Sequence, residues 1–130
     1  MKLTKAERAE LKQKYGGHCS YCGVELNMSW QADHFVPIVR NWITLNGKKL
    51  YTDCVNPEND CIENMMPSCG PCNNDKSSLS LENWRKAIKH KVFTLNNSHP
   101  IYQKAKRYGL VVETDIDVIF YFEKCGEVSA

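Results

Sequence analysis

Apolar residues recur at helical spacing in one stretch above all. Leu81, Trp84, Ala87, Ile88 and Val92 follow Ser80, a good N-cap, and predict a helix to about Phe93. A second helix is predicted over residues 100–108, with Ile101, Ala105 and Tyr108 on one face and Gly109 as its stop. Near the start, Thr4-Lys5-Ala6-Glu7 reads as a capping box, and the helix it opens runs to about Lys14 before Gly16-Gly17. Residues 110–114 and 118–123 are rich in β-branched and aromatic side chains; joined by Asp115-Ile116-Asp117, they predict a C-terminal β-hairpin. The middle is less regular. Residues 31–39 read as extended, with Pro37 limiting their sheet pairing. Residues 45–61 read as a loop, from the turn signals Asn46-Gly47, Asn56-Pro57 and Asn59-Asp60. A short helix is expected from Asn73 to about Ser77. The mixture predicts an α+β fold.

Length and charge narrow this picture. A chain of 130 residues is one domain by the usual prior, with a core modest enough that a metal staple would stabilise it substantially. No run approaches the roughly 18 apolar residues of a membrane span, so no membrane partner is expected. The N-terminus has no apolar signal region, and the expected compartment is a reducing cytoplasm. The net charge of +2 says less than its distribution. Lys76, Arg85, Lys86, Lys89, Lys91, Lys104, Lys106 and Arg107 crowd a stretch whose acid is Glu82. Such a run suits a polyanion such as nucleic acid, or is simply a solvated helix face.

The seven cysteines change the picture most. Cys19-Ser20-Tyr21-Cys22 and Cys69-Gly70-Pro71-Cys72 are two CxxC pairs, each able to present both sulfurs to one ion from a tight turn. In a reducing compartment this set predicts a structural tetrahedral Zn²⁺ rather than disulfides, an iron–sulfur cluster or a redox pair. Cys54 and Cys61 read as free loop cysteines, Cys125 as a bystander, and His18 as a neighbour of a ligand set that is already complete.

Between the two pairs stands Ala32-Asp33-His34, and Asn73 follows the last cysteine directly. At these residues the chain resembles the HNH, or ββα-metal, endonucleases. The likeness rests on Cys19 and Cys22, Ala32-Asp33-His34 with Pro37, Glu63-Asn64-Met65-Met66-Pro67, and Cys69-Gly70-Pro71-Cys72-Asn73 with Lys76. It covers roughly residues 15–78. More softly, the Ser80-to-Arg85 helix start, Tyr108-Gly109-Leu110 and the C-terminal aromatics resemble the small HNH nucleases of phages and prophages, which implies a bacterial host cytoplasm.

The resemblance implies a zinc-stabilised ββα-metal core with accessory helices, and a hydrolase cutting DNA phosphodiester bonds to 5′-phosphate and 3′-hydroxyl ends. His34 would be the general base, for which a neutral imidazole is suited near pH 7. Asp33 and Asn73 would hold a catalytic Mg²⁺ or Mn²⁺, hard ions that prefer oxygen donors. Asn64 would fix the loop and the His34 ring, or serve only as a turn cap. Because successive strand residues face opposite sides, Asp33 and His34 reach one ion only if their strand bends or ends there. Arg40, Lys76, Arg85 and Lys89 are candidate phosphate contacts. Trp30, Trp42, Trp84, Phe120, Tyr121 and Phe122 read as packing residues rather than base-stacking platforms. A non-catalytic zinc module that binds DNA or a protein is the alternative, and monomer and homodimer both stay open.

Overall fold

The computed structural model describes residues 2–128, and side chains as far as Cys125. The chain divides into two compact units: one runs to Leu81 and resumes at Phe120, and the other spans Glu82–Ile119. The described residues form two short antiparallel sheets and several helices, an α+β composition.

In the first unit, α1 (Lys5–Lys12) starts as its sequence dictates. Thr4 caps the Glu7 amide and Glu7 returns a hydrogen bond to the Thr4 amide, the full capping box. Arg8 then ties α1 to the segment around Trp30. Its guanidinium lies 4.1 Å from the centre of the Trp30 ring and donates to the Trp30 carbonyl at 2.8 Å. Strand β1 (Gln31–His34) pairs with a later strand, β4 (Met65–Ser68), in the register Gln31↔Ser68 to His34↔Met65. All four residues of β4 are buried. Leu11, Tyr21, Leu26, Trp30, Met65, Met66 and Phe120 supply the apolar core. Helix α2 (Gly70–Lys76) comes directly after β4 and starts three residues ahead of the expected position, inside the second CxxC, with Pro71 in its first turn.

Residues 40–54 correct the expected loop. They form a hairpin, β2 (Arg40–Leu45) and β3 (Lys48–Cys54), turned by Asn46 and Gly47 at φ of 53° and 76°. Two successive positive φ angles are the type I′ geometry that Asn-Gly favours between strands. Two short 3₁₀ turns, Pro57–Asn59 and Ile62–Asn64, lead back to β4.

The second unit holds α3, which spans Leu81–Ser98 and runs past the expected Phe93, and α4 (Pro100–Arg107), whose end at Gly109 carries the positive φ of 74° expected of a helix stop. The expected C-terminal β-hairpin does not form. Residues 111–120 have no regular structure, and Tyr121–Val128 is a helix, α5. Tertiary packing overrides the β propensity. The Tyr121 and Phe122 amides donate to the carbonyls of Tyr21 and Ser20, at 2.9 and 2.8 Å. Phe120 and Phe122 set their rings edge-on to Tyr21. The aromatics therefore close over the first CxxC instead of pairing with residues 110–114. They are packing residues, as expected, but by a different route.

Candidate metal centre and the polar cluster beside it

The first CxxC is a tight knuckle. The Cys19 amide donates to the Val24 carbonyl at 2.8 Å, the Gly23 amide to the Cys19 carbonyl at 3.1 Å, and Gly23 takes φ +80°. A Cβ on Gly23 would lie 2.9 Å from the Tyr121 ring, so the position demands glycine twice over. The second CxxC enters α2, with the Cys69 sulfur accepting from the Cys72 amide. Ser20 ties the two segments together, donating to the Pro67 carbonyl through both its amide and its hydroxyl.

The result is one sulfur cluster. The Sγ atoms of Cys19, Cys22, Cys69 and Cys72 all lie within 4.8 Å of one another. Cys22 and Cys69 approach to 3.7 Å, against about 3.8 Å for the edge of a zinc–thiolate tetrahedron with Zn–S near 2.3 Å. Proton sharing also fits a cation. A hydrogen bond from Cys72 holds the Cys19 thiol down at about 4, while the same contact and burial push Cys72 up. Four sulfurs this close do not all ionise unaided, and a divalent ion removes that conflict. The four cysteines could hold a structural metal such as zinc. Cys54 and Cys61 stand apart, against Asn56 and the Glu58 carbonyl. His18 turns its Nδ1 to the Gly23 carbonyl at 3.0 Å, bracing the knuckle rather than joining the sulfurs.

Strand β1 carries the polar residues outward from this clip. Gln31 and Asp33 share one face, Ala32 and His34 the other. Asp33 is buried; its Oδ2 accepts from the Tyr21 hydroxyl at 2.5 Å and pairs with the Lys76 ammonium at 3.1 Å. Burial and then the Asp33 charge push the Tyr21 phenol far up, so it stays a donor. Lys76 is 0% exposed and also donates to the His34 carbonyl at 3.0 Å. The expectation that Lys76 touches phosphate is therefore corrected: its charge is spent inside the fold. Asn73, one turn before Lys76 on α2, donates to the Gln31 side chain.

His34 points the other way, and its Nε2 meets Asp60 Oδ1 at 2.9 Å. It lines an open depression of about 370 Å³ with Lys2, Arg8, Trp30 and Met65. Asn64 fixes the loop, as expected: its amide nitrogen donates to the Val36 and Asn59 carbonyls, and its oxygen accepts from the Val36 amide. It does not orient the His34 ring, a task that falls to Asp60. Nothing in the sequence around Asp60 marks that role. Lys2 and Arg8 were equally unmarked, lying outside every motif.

The side chains of Asp33, His34 and Asn73 thus have separate partners, and none bonds another. This does not fit a divalent ion as it stands: the Asp33 carboxylate is already neutralised by a buried ammonium, and His34 faces away. Among the other candidate phosphate contacts, Arg85 reaches the Val118 carbonyl at 2.6 Å and Glu82, and Lys89 reaches the Ile116 carbonyl at 2.6 Å and Asp115. Both brace their own unit. Arg40 stands exposed at the base of the β2–β3 hairpin.

The chain matches no family model, no curated protein and no solved structure. Among the described residues, no helix is long and apolar enough to cross a membrane.

Proposed function

We propose that the chain is a DNA endonuclease of the HNH type, with His34 as general base. The observation that carries this reading is the His34–Asp60 contact of 2.9 Å at the edge of a depression that also holds Lys2 and Arg8. When Nε2–H is donated to the carboxylate, Nδ1 keeps its lone pair and can take a proton from water. Lys2 and Arg8 would draw the phosphodiester to that face. Water attacks phosphorus, its proton passes to Nδ1, the bond to the 3′ oxygen breaks, and that oxygen takes a proton from solvent. The order strand, strand, helix in β1, β4 and α2, beside a four-cysteine clip, supports the same family.

The resemblance adds dependence on Mg²⁺ or Mn²⁺ held by Asp33 and Asn73, which would polarise the phosphate. Asp33 would first have to exchange Lys76 for the ion. That buried ion pair favours a second reading, a non-catalytic zinc-stabilised module that binds DNA or a protein.

Conversion of supercoiled plasmid by the zinc-loaded protein, with Mg²⁺, Mn²⁺, Ni²⁺ or EDTA, tests both. Nicking or linearisation that is lost in His34→Ala supports the nuclease. Absence of cutting on duplex, branched and single-stranded DNA leaves the binding module.

A further inference from the structure

The β2–β3 hairpin leaves both faces open: every residue of its strands through Asp53 is exposed. A two-stranded hairpin alone is marginally stable in water. This one is held at its base, where the Val55 amide donates to the Val39 carbonyl at 2.7 Å and Asn56 bonds both Val39 and Pro37. Asn64 clamps Val36 just before it, so the hairpin springs from the segment directly after His34.

Its faces are not ordinary solvated surface. On one, Trp42, expected to be a packing residue, is instead 52% exposed and pairs across the strands with Tyr51, 60% exposed, and the Lys49 ammonium lies 4.6 and 5.2 Å from their ring centres. On the other, Ile43 pairs with Leu50 and Leu45 with Lys48, the three apolar side chains all exposed. Arg40 at the base and Lys48 and Lys49 at the tip face a single acid on the two strands, Asp53, which is occupied by Asn41 and Thr52.

We propose that this hairpin is a DNA-gripping ribbon that enters the major groove of a duplex. A two-stranded ribbon fits a groove about 12 Å wide. Lys48, Lys49 and Arg40 meet phosphates along its length, while the face that carries Trp42 and Tyr51 lies against base edges and thymine methyls. Charge selects this occupant over a second copy of the chain. A second ribbon would bring its own Lys48 and Lys49 to a surface with one acid already engaged, whereas a polyanion takes all three cations. The inference rests on the reading of the chain as a DNA-acting protein and deepens it by naming the gripping element and the duplex form.

Two readouts on the full zinc-loaded chain test it. The first is anisotropy of a labelled duplex across salt concentrations. Lys48→Glu/Lys49→Glu is expected to weaken binding by about tenfold or more and to flatten the salt slope by about 1.8, the value for two lost phosphate contacts. Lys86→Glu/Lys104→Glu, the same charge change at exposed sites on the other unit, is expected to keep the slope. The second is tryptophan quenching. Trp30 and Trp84 are 6% and 2% exposed, so the acrylamide-accessible emission belongs to Trp42, and bound duplex should shield it. Equal losses in both charge variants, or an unshielded Trp42 in the bound complex, would overturn the proposal. So would shielding by single strands alone, or hairpin variants that shift a dimer to monomer without touching DNA affinity. A chain that binds duplex through the hairpin and never cuts it fails as a nuclease and keeps this inference. One that cuts, with duplex binding indifferent to the hairpin variants, does the reverse.

Discussion

The Lys76 ammonium sits 3.1 Å from the Asp33 carboxylate, with the lysine wholly buried and the aspartate nearly so. The pair joins α2 to β1, and the bond from Lys76 to the His34 carbonyl extends the join by one residue. A buried charge left alone is far more costly than the pair, and that asymmetry makes the join testable.

Lys76→Met should cost about 3–5 kcal/mol of unfolding free energy, because it strands the Asp33 carboxylate. Adding Asp33→Asn should restore much of the loss. Urea unfolding of the single and double variants reads this directly; a Lys76→Met protein as stable as the parent would mean the pair is not formed in solution.

The sulfur cluster should hold one zinc per chain, measured by elemental analysis of protein purified without added metal. Cys19→Ser or Cys72→Ser should abolish it. Structural zinc contributes about 10–16 kcal/mol in small metallo-domains, so a strong chelator should unfold the unit built on the clip. Far-ultraviolet circular dichroism tracks the loss.

Asp60→Asn should lower any cleavage rate by about tenfold or more while zinc content and folding stay unchanged, since a second partner that orients a functional imidazole is worth that much at comparable sites. His34→Ala should cost about 10²–10⁴-fold, the usual contribution of a positioned base. Equal rates for Asp60→Asn and the parent would remove Asp60 from the mechanism.

In the second unit, the Tyr102 hydroxyl, the Asn96 amide and then Lys106 hold the Glu113 carboxyl down at about 2. The folded value is depressed below the unfolded one. Its contribution is therefore present above about pH 4.5 and lost as pH falls through about 2. Glu113→Gln should flatten the acid limb of stability in that window, seen by helical signal against pH, and should leave the neutral end of the profile parallel to the parent.

Much of the frame was legible from short-range chemistry. Thr4 and Glu7 set the start of α1, Ser80 lies just before α3, and the CxxC spacing brings four sulfurs together. What failed, failed for physical reasons. Residues 118–123 look like a strand by composition, but Phe120 and Phe122 find better partners in Tyr21, and no local pattern reveals a contact so distant along the chain. The β2–β3 hairpin was the opposite case. Its Asn46-Gly47 signal was present, but neither face of the ribbon is covered, so no clean alternation of apolar and polar residues marked the strands. At the candidate site, β1 alternation gave fair warning that Asp33 and His34 diverge. The partners they diverge toward, Lys76 and Asp60, are choices of tertiary packing.

The aromatic lid over the first CxxC has a consequence for synthesis. Phe120 and Phe122 come from beyond the whole second unit, so that unit is an insertion within the first. On the ribosome all four thiols emerge long before their lid. The four thiols could take up an ion at that stage, and until residues 120–122 arrive the Tyr21 ring lacks the cover of Phe120 and Phe122. For that interval the two knuckles are joined by the Ser20–Pro67 hydrogen bonds and the β1–β4 pairing, without their aromatic cover.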